Sequence, residues 1–457
     1  MNKADIIVVG GSAAGVTAAI TAKRHYPKKS VLLVRRERQV LIPCGIPYIF
    51  GTVGSPEKNL IPDDVLENEK VELLVSEVTG INHERKMLLT ASGEVSYDRL
   101  IIATGALPST PPIPGVGLDG VFSILKDVDY LRGMQERLQT ARDIVVVGGG
   151  FIGIEFADEI RKTGDKVITI VEIASHCLSL SYDEEFCLEA EQVLQSNGIC
   201  ILNKSKVTGF VGNGHVTGVK LSNGKTLKAD MVILGTGSKA NVALGKAAGL
   251  RIGVTGAIDV DRTMRTSARH VFACGDCAEK ISFFGGGHST LKLASIATLE
   301  ARIAGANLFG ITRENPGTVG VWSTALGDFA LGTAGLTETM VKALGYDAVV
   351  AAVEGRCRHP AGMPGGAKTK LKLVFESNSG VLLGGQVSGN DVAGAIINIV
   401  AACVQHRMTA DDIAMFQMGT HPALTASPIV FPLVNAAELA IREMRRRAQP
   451  AEEEERP

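Results

Sequence analysis

The feature that most constrains this chain occurs twice. The run "DIVVVGGGFIGIEFADEIRKTGDKVITIVE" reads as a strand over Ile144 to Val147, a turn with Gly148, Gly150 and Gly153, a helix, and a strand "VITIV" that delivers Glu172. Glycines let a backbone approach a diphosphate closely, and the helix start offers unpaired N–H groups and the positive end of a dipole. An acid about 20 residues on accepts from ribose hydroxyls and repels a 2′-phosphate, so Glu172 predicts a dinucleotide site favouring NADH over NADPH. The competing reading is a plain tight turn. The earlier copy, "DIIVVGGSAAGVTAAITAKR", carries Gly10, Ser12 and Gly15, with Ser12 in place of the middle glycine. Alone it is a weaker signal; together the two units predict two dinucleotides. Where the first unit should offer its ribose-binding acid, the sequence is Arg35, Arg36, Glu37, Arg38. Either Glu37 fills that role from a shifted register or the site is organised differently.

At 457 residues the chain exceeds one ordinary core, and roughly two to four domains are expected. A net charge of -1, from 47 basic and 48 acidic residues, gives no reason to expect nucleic acid or an acidic membrane as partner. The apolar run "VAGAIINIVAACV" from Val392 falls short of the roughly 20 residues that span a bilayer, and the N-terminal apolar run is short and flows into the first glycine turn. The expectation is a soluble, cytoplasmic protein. Eight cysteines are sparse for this length and do not resemble a secreted disulfide framework. Cys274 and Cys277 form a C-x-x-C with no second pair to complete a metal site, so no metal is expected and both read as structural. The end, "REMRRRAQPAEEEERP", reads as a charged helix end followed by a disordered tail.

One cysteine has a different setting. "LIPCGIPYIFG" places Cys44 between Pro43 and Pro47 and directly before Gly45. The thiolate is the nucleophilic form, and a helix N-terminus would stabilise it. The prolines stiffen the turn and Gly45 is read as leaving room for an approaching sulfur. The competing reading is a buried cysteine at a proline-rich corner.

With "LIIATGALPSTPPIPG", "RTSARHVFACGDCAE" and "LASIATLEARIAGANLFG" following in order, the chain resembles the FAD-dependent pyridine nucleotide-disulfide oxidoreductases. Within them it resembles the single-cysteine branch of coenzyme A-disulfide and persulfide reductases, NADH oxidases and NADH peroxidases. The resemblance implies an α/β fold with two doubly wound dinucleotide-binding domains: an FAD domain (1–114 and 255–317) split by an NADH domain (115–254). A C-terminal α+β dimerisation domain (318–457) follows, implying a homodimer. FAD would be held by Gly10, Ser12, Ala13, Gly15, Glu37, Thr104 and Gly105, with Asp276 on the ribityl chain and Ala294 at the helix start facing the flavin ring. NADH would lie against Gly148, Gly150, Ile152, Gly153, Glu172 and Gly237, with Phe151 gating the flavin face and Glu155 holding the nicotinamide side. In two-cysteine members a second cysteine stands five positions after the nucleophile; here that position is Ile49. Cys44 would therefore cycle with an external partner as a mixed disulfide, persulfide or sulfenic acid.

Three departures bear on substrate. Ala13 stands where peroxidases and many oxidases of this branch carry a histidine, which removes the obvious proton handler and is compatible with sulfur substrates. "GTHPALTASP" lacks the tyrosine of coenzyme A-disulfide reductases but partly resembles the His-Pro pair of two-cysteine reductases. His421 is then either the acid that protonates a leaving thiol or an interface histidine satisfied by backbone; Ala426 lies near the place of its customary glutamate partner. The basic run Lys23, Arg24, Lys28, Lys29, Arg35, Arg36 and Arg38 either meets coenzyme A phosphates or is a solvated face. The implied activity is NADH-dependent reduction of coenzyme A disulfide, coenzyme A persulfide or polysulfide, with coenzyme A as substrate or bound ligand. The alternatives are an NADH oxidase reducing oxygen and a redox-sensing or electron-transfer flavoprotein subunit.

Overall fold

The computed structural model describes residues 3–448. The tail expected beyond the last helix, Pro432–Ala448, lies outside the described residues. The chain divides into two compact units: Met1–Gly148, Glu159–Thr169 and Lys206–Thr318 form one, and Gly149–Asp158, Ile170–Ser205 and Val319–Pro457 the other. The division falls inside the second glycine turn.

In the first unit the strand Lys3–Val9 lies between Val31–Arg35 and Gly93–Ile102, parallel to both, with Ile6 opposite Val31 and Val9 opposite Ile102. Glu72–Val75 extends one side, and Val271–Ala273 runs parallel to the end of Gly93–Ile102. Ile6, Ile7 and Val8 are fully buried, which is why this strand reads as an unbroken apolar run rather than an alternating one. The helices Ala13–His25 and Ala294–Ala306 pack through small residues: Ala18, Ala19, Ala22, Ala301 and Ala304 are all at 0% exposure. A Cβ on Gly305 would lie 2.8 Å from the Ala18 carbonyl oxygen, so glycine sets that approach. A second parallel set joins Val121–Ser123, Met231–Leu234 and Asp143–Val147, with Val145 opposite Val232.

The second unit is built on an antiparallel sheet in the order Val321–Leu326, Phe329–Gly335, Leu382–Gly389, Lys368–Glu376, Ala348–Arg356. The long apolar run is the helix Val392–Gln405, which buries Ala393, Ile397, Val400, Ala401 and Val404 at helical spacing. A Cβ on Gly332 would stand 2.7 Å from Ile397 Cβ, which fixes how closely this helix lies on the sheet. Among the described residues no helix is long and apolar enough to cross a membrane.

Candidate active site

The first glycine turn has the geometry its sequence implies. Gly10 sits at φ +118°, and a Cβ there would fall 2.2 Å from the Ala103 carbonyl oxygen; at Gly15 a Cβ would fall 1.8 Å from the Gly10 carbonyl oxygen. No side chain fits at either, so strand, turn and helix meet at their closest. Ser12 is the N-cap of Ala13–His25 but its hydroxyl makes no capping bond, leaving Ser12 and the half-buried Ala13 at the opening of the helix. Gly105 is at φ +70°, and the Asn241 amide donates to its carbonyl at 2.9 Å while the Thr104 hydroxyl donates to the Asn241 carbonyl at 2.7 Å.

The end of the second strand is organised around Arg35. Its buried guanidinium donates twice to Asp63 at 2.7 Å and also to the carbonyls of Glu37 and Arg38, each at 2.9 Å. Its aliphatic part lies against Gly11, where a Cβ would meet Arg35 Cδ at 2.4 Å. The Glu37 carboxylate pairs with Arg36 at 2.7 Å. Nothing local in the sequence points from Arg35 to Asp63. Two further members of the basic run are paired: Arg24 with Glu69, and Lys29 with Asp5 at 3.1 Å. These pairings favour a solvated, self-neutralised face over a phosphate clamp.

Asp276 rides on the single 3-10 turn Gly275–Cys277. The Gly275 N–H donates to Glu300 at 2.8 Å and its carbonyl accepts from Lys280 at 2.7 Å; Lys280 also donates to Glu300 at 3.2 Å. Lys280 and Glu300 are at 2% and 0% exposure, and burial pushes the Glu300 carboxyl up to about 7. Sequence reasoning missed this pair because Lys280 and Glu300 stand on separate elements and each reads alone as an ordinary charge. Leu293, the N-cap of Ala294–Ala306, has no acceptor to offer, so the first-turn N–H groups near Ala294 have no side-chain cap. Cys277 donates weakly to the carbonyls of Ile102 and Cys274 at 3.5 and 3.3 Å, and burial pushes both thiols up. Both behave as structural residues.

Cys44 is exposed. The expected helix around it is instead two 3-10 turns, Pro43–Gly45 and Pro47–Phe50, each started by a proline. Ile49 and Phe50 are buried at 0% and 2% beneath them. Gly45 has a reason other than access: a Cβ would fall 2.0 Å from Asn59 Oδ1, and Asn59 anchors the turn by donating to the Ile42 carbonyl at 2.9 Å and accepting the Ile42 N–H through its own carbonyl at 2.9 Å. The segment's far end is held by buried Glu159, which accepts from the Thr52 N–H at 2.6 Å.

At the second turn Gly148 is at φ +102°, with a Cβ position 2.6 Å from the Gly235 carbonyl oxygen. Glu172 accepts from the Gly149 N–H at 2.5 Å and from the Ala174 N–H at 2.7 Å, so the acid stands at the glycine turn as its spacing predicts. Gly150 and Gly237 face open space where a Cβ would stand. On the helix Phe151–Arg161, Ile152 is exposed and Gly153 buried; Phe151 makes ring contacts with Tyr182 and Trp322, and Thr324 donates to Glu155 at 2.8 Å. His421 is exposed, its Nδ1 accepting from the Ala423 N–H at 3.2 Å. Its loop is tied to His359, whose N–H donates to the Pro422 carbonyl at 3.2 Å and whose Nδ1 lies 3.0 Å from the Thr425 carbonyl. Ala426 is buried at 5%.

Both turns fit a diphosphate-bearing cofactor: the glycines whose Cβ would collide with backbone, and at the first turn a helix start with no side-chain cap, are what such a group requires. Residues 4–301 match the family described as pyridine nucleotide-disulphide oxidoreductase, and residues 321–428 its dimerisation domain. The chain is 33% identical over 446 residues to an NAD(P)H coenzyme A polysulfide/persulfide reductase of Pyrococcus horikoshii, covering 96% of this chain and 98% of that protein. Its fold is similar to that of a NAD-dependent persulfide reductase from A. fulgidus, with TM-score 0.89 and 28% identity, over 96% of this chain and 83% of that one. It is also similar to a water-forming NADH oxidase from Lactobacillus brevis bound to NADH, with TM-score 0.87 and 25% identity, over 98% of this chain and 100% of that one.

Proposed function

Because the chain belongs to the pyridine nucleotide-disulphide oxidoreductase family, we propose that it is an NADH-dependent flavoprotein that reduces a sulfur substrate through Cys44 alone. The substrate is a coenzyme A disulfide, a coenzyme A persulfide or a polysulfide, a choice supported by the sulfur-reducing relatives. The observation that carries the single-cysteine reading is the pairing of an exposed Cys44 with a fully buried Ile49 where a second cysteine would have to stand.

FAD would be held by Gly10, Ser12, Ala13, Gly15, Glu37, Thr104, Gly105, Asp276 and Ala294, and when bound supplies the relay for the two electrons that NADH donates. NADH would lie on Gly148, Gly150, Ile152, Gly153 and Gly237, with Glu172 at its ribose, Phe151 at the gate and Glu155 at the nicotinamide. The Cys44 thiolate attacks one sulfur of the substrate S–S bond, forming a bond between Cys44 and that sulfur and releasing the other as thiolate. His421 is the proposed proton donor to that leaving group. Two electrons from NADH then cleave the new S–S bond, returning Cys44 as thiolate and the second sulfur as thiol after it takes up a proton. Glycine turns and an aromatic gate serve this by bringing the reactants together in fixed order.

The domain layout is proposed as FAD-binding 1–114 and 255–317, NADH-binding 115–254 and interface 318–457. The dimerisation-domain match supports a homodimer. The sparse cysteines support a cytoplasmic enzyme, and the net charge of -1 supports one with no nucleic-acid or acidic-membrane partner. A second reading, NADH oxidase, is favoured by the Lactobacillus brevis likeness. Ala13 weighs against it, since no titratable side chain stands at that position to handle oxygen's protons. Anaerobic NADH oxidation with each of the three sulfur acceptors tests the proposal: turnover with one of them supports it. Inertness to all three, with turnover restored by oxygen, replaces it with the oxidase reading. Inertness in both, with co-purification of a protein partner, favours a redox-sensing subunit.

A further inference from the structure

The helix Phe151–Arg161 presents positions 151, 155 and 158 on one face, and each meets the N-terminal edge of the C-terminal sheet. Phe151 stacks with Trp322, ring centroids 6.2 Å apart and planes 16° from parallel. Thr324 donates its hydroxyl to Glu155 at 2.8 Å, and the Gly327 N–H donates to Asp158 at 3.3 Å. Trp322 and Thr324 are two apart on the strand Val321–Leu326, so one strand face carries both contacts. Tyr182 also contacts Phe151, centroids 6.0 Å apart and tilted by 56°. Thr324 is 6% exposed and Asp158 3%, so water cannot freely replace the donors that this edge supplies.

On the reading that Phe151 and Glu155 contact nicotinamide, we infer that the strand Val321–Leu326 is part of the nicotinamide site. Trp322 is the positioning residue for Phe151, and Thr324 for Glu155. A segment assigned by sequence to dimerisation thus sets the register of the two side chains that meet the reactive half of the nucleotide. The glycine turn and Glu172, which meet the adenosine half, are held independently of it.

This division gives a test in binding alone. The flavin-loaded full chain is titrated calorimetrically with NAD+ and with ADP-ribose, which lacks nicotinamide. Trp322→Ala lowers the ratio of NAD+ to ADP-ribose affinity by about two- to tenfold, the range of an aromatic pair, while Trp322→Phe keeps it. Thr324→Val lowers the ratio by a similar two- to tenfold, roughly one hydrogen bond, and Thr324→Ser restores it. In every variant ADP-ribose affinity stays within about twofold of wild type, because the adenosine contacts are untouched. An unchanged ratio in both Trp322→Ala and Thr324→Val overturns the inference, and so does a parallel loss of both ligands, which would mean general damage to the fold. Phe151→Ala tests the underlying assignment separately: if it leaves the ratio unchanged, Phe151 does not meet nicotinamide and the inference falls with that reading.

Discussion

Replacing Lys372 by methionine removes the cation at the centre of a buried network. Its ammonium lies 3.0 Å from Asp183, 2.6 Å from Glu185 and 2.7 Å from Glu338, and its side chain is 6% exposed. Burial lowers the Lys372 pKa, but the hydrogen bonds it donates to the three carboxylates outweigh that and the net shift is upward. Burial likewise pushes Asp183 up, yet the Thr339 hydroxyl and amide, with Lys372, draw it from 3.8 down to about 2. Breaking a buried ion pair costs roughly 3–5 kcal/mol. Asp183 keeps donors in the Thr339 N–H at 3.0 Å, the Thr339 hydroxyl at 2.6 Å and Gln386 at 2.5 Å, so the lower end applies. Glu185 and Glu338, at 42% and 28% exposure, turn to water and add less than about 1 kcal/mol each. The expected loss is about 3 kcal/mol at pH 7. The assay is urea unfolding followed by the emission of Trp322, the chain's one tryptophan. Adding Asp183→Asn to Lys372→Met should recover part of the loss, since it removes the charge left unpaired. A loss under about 1 kcal/mol, or a double variant no more stable than Lys372→Met, would mean that Lys372 does not neutralise a buried Asp183 charge.

Four further outcomes are expected. The Asp183 contribution, about 2 kcal/mol for a carboxyl depressed from 3.8 to about 2, is complete above about pH 4 and lost as pH falls toward 2; acid unfolding of Asp183→Asn against wild type checks that window. Gly15→Ala puts a Cβ 1.8 Å from the Gly10 carbonyl oxygen, so the purified variant should lack bound flavin, read from its visible absorbance. Glu172→Ala strips the acceptor from two backbone N–H groups and should weaken NADH binding about ten- to a hundredfold while narrowing discrimination against NADPH, measured by titration with both nucleotides. Brief alkylation followed by peptide mass spectrometry should label exposed Cys44 and spare Cys187 and Cys274, whose thiols burial pushes up, Cys187 to about 12.

The parts of the site legible in sequence are those written locally. Gly10, Gly15 and Gly148 announce backbone crowding, Glu172 has a fixed offset from its turn, and the run from Val392 shows helical period. The pairing of Lys368–Glu376 with Leu382–Gly389 follows from alternation and a short turn. What the sequence hid depends on topology: Arg35 with Asp63, Lys280 with Glu300, and Lys372 with Asp183 join residues from separate elements, and each reads alone as an ordinary charge. Gly45 stands out in sequence, but what crowds it does not. Its missing Cβ makes way for Asn59, a partner no local pattern names.

If Cys44 alone carries the sulfur chemistry, peptide-mapping mass spectrometry will locate the substrate sulfur on it. Flavin-loaded protein is mixed anaerobically with coenzyme A disulfide, coenzyme A persulfide or polysulfide, digested, and mapped before and after one equivalent of NADH. One sulfur adduct is expected, on the Cys44 peptide, formed without NADH, removed by it and absent from Cys44→Ser. No adduct on Cys44 with any of the three, or an adduct that survives NADH, contradicts it.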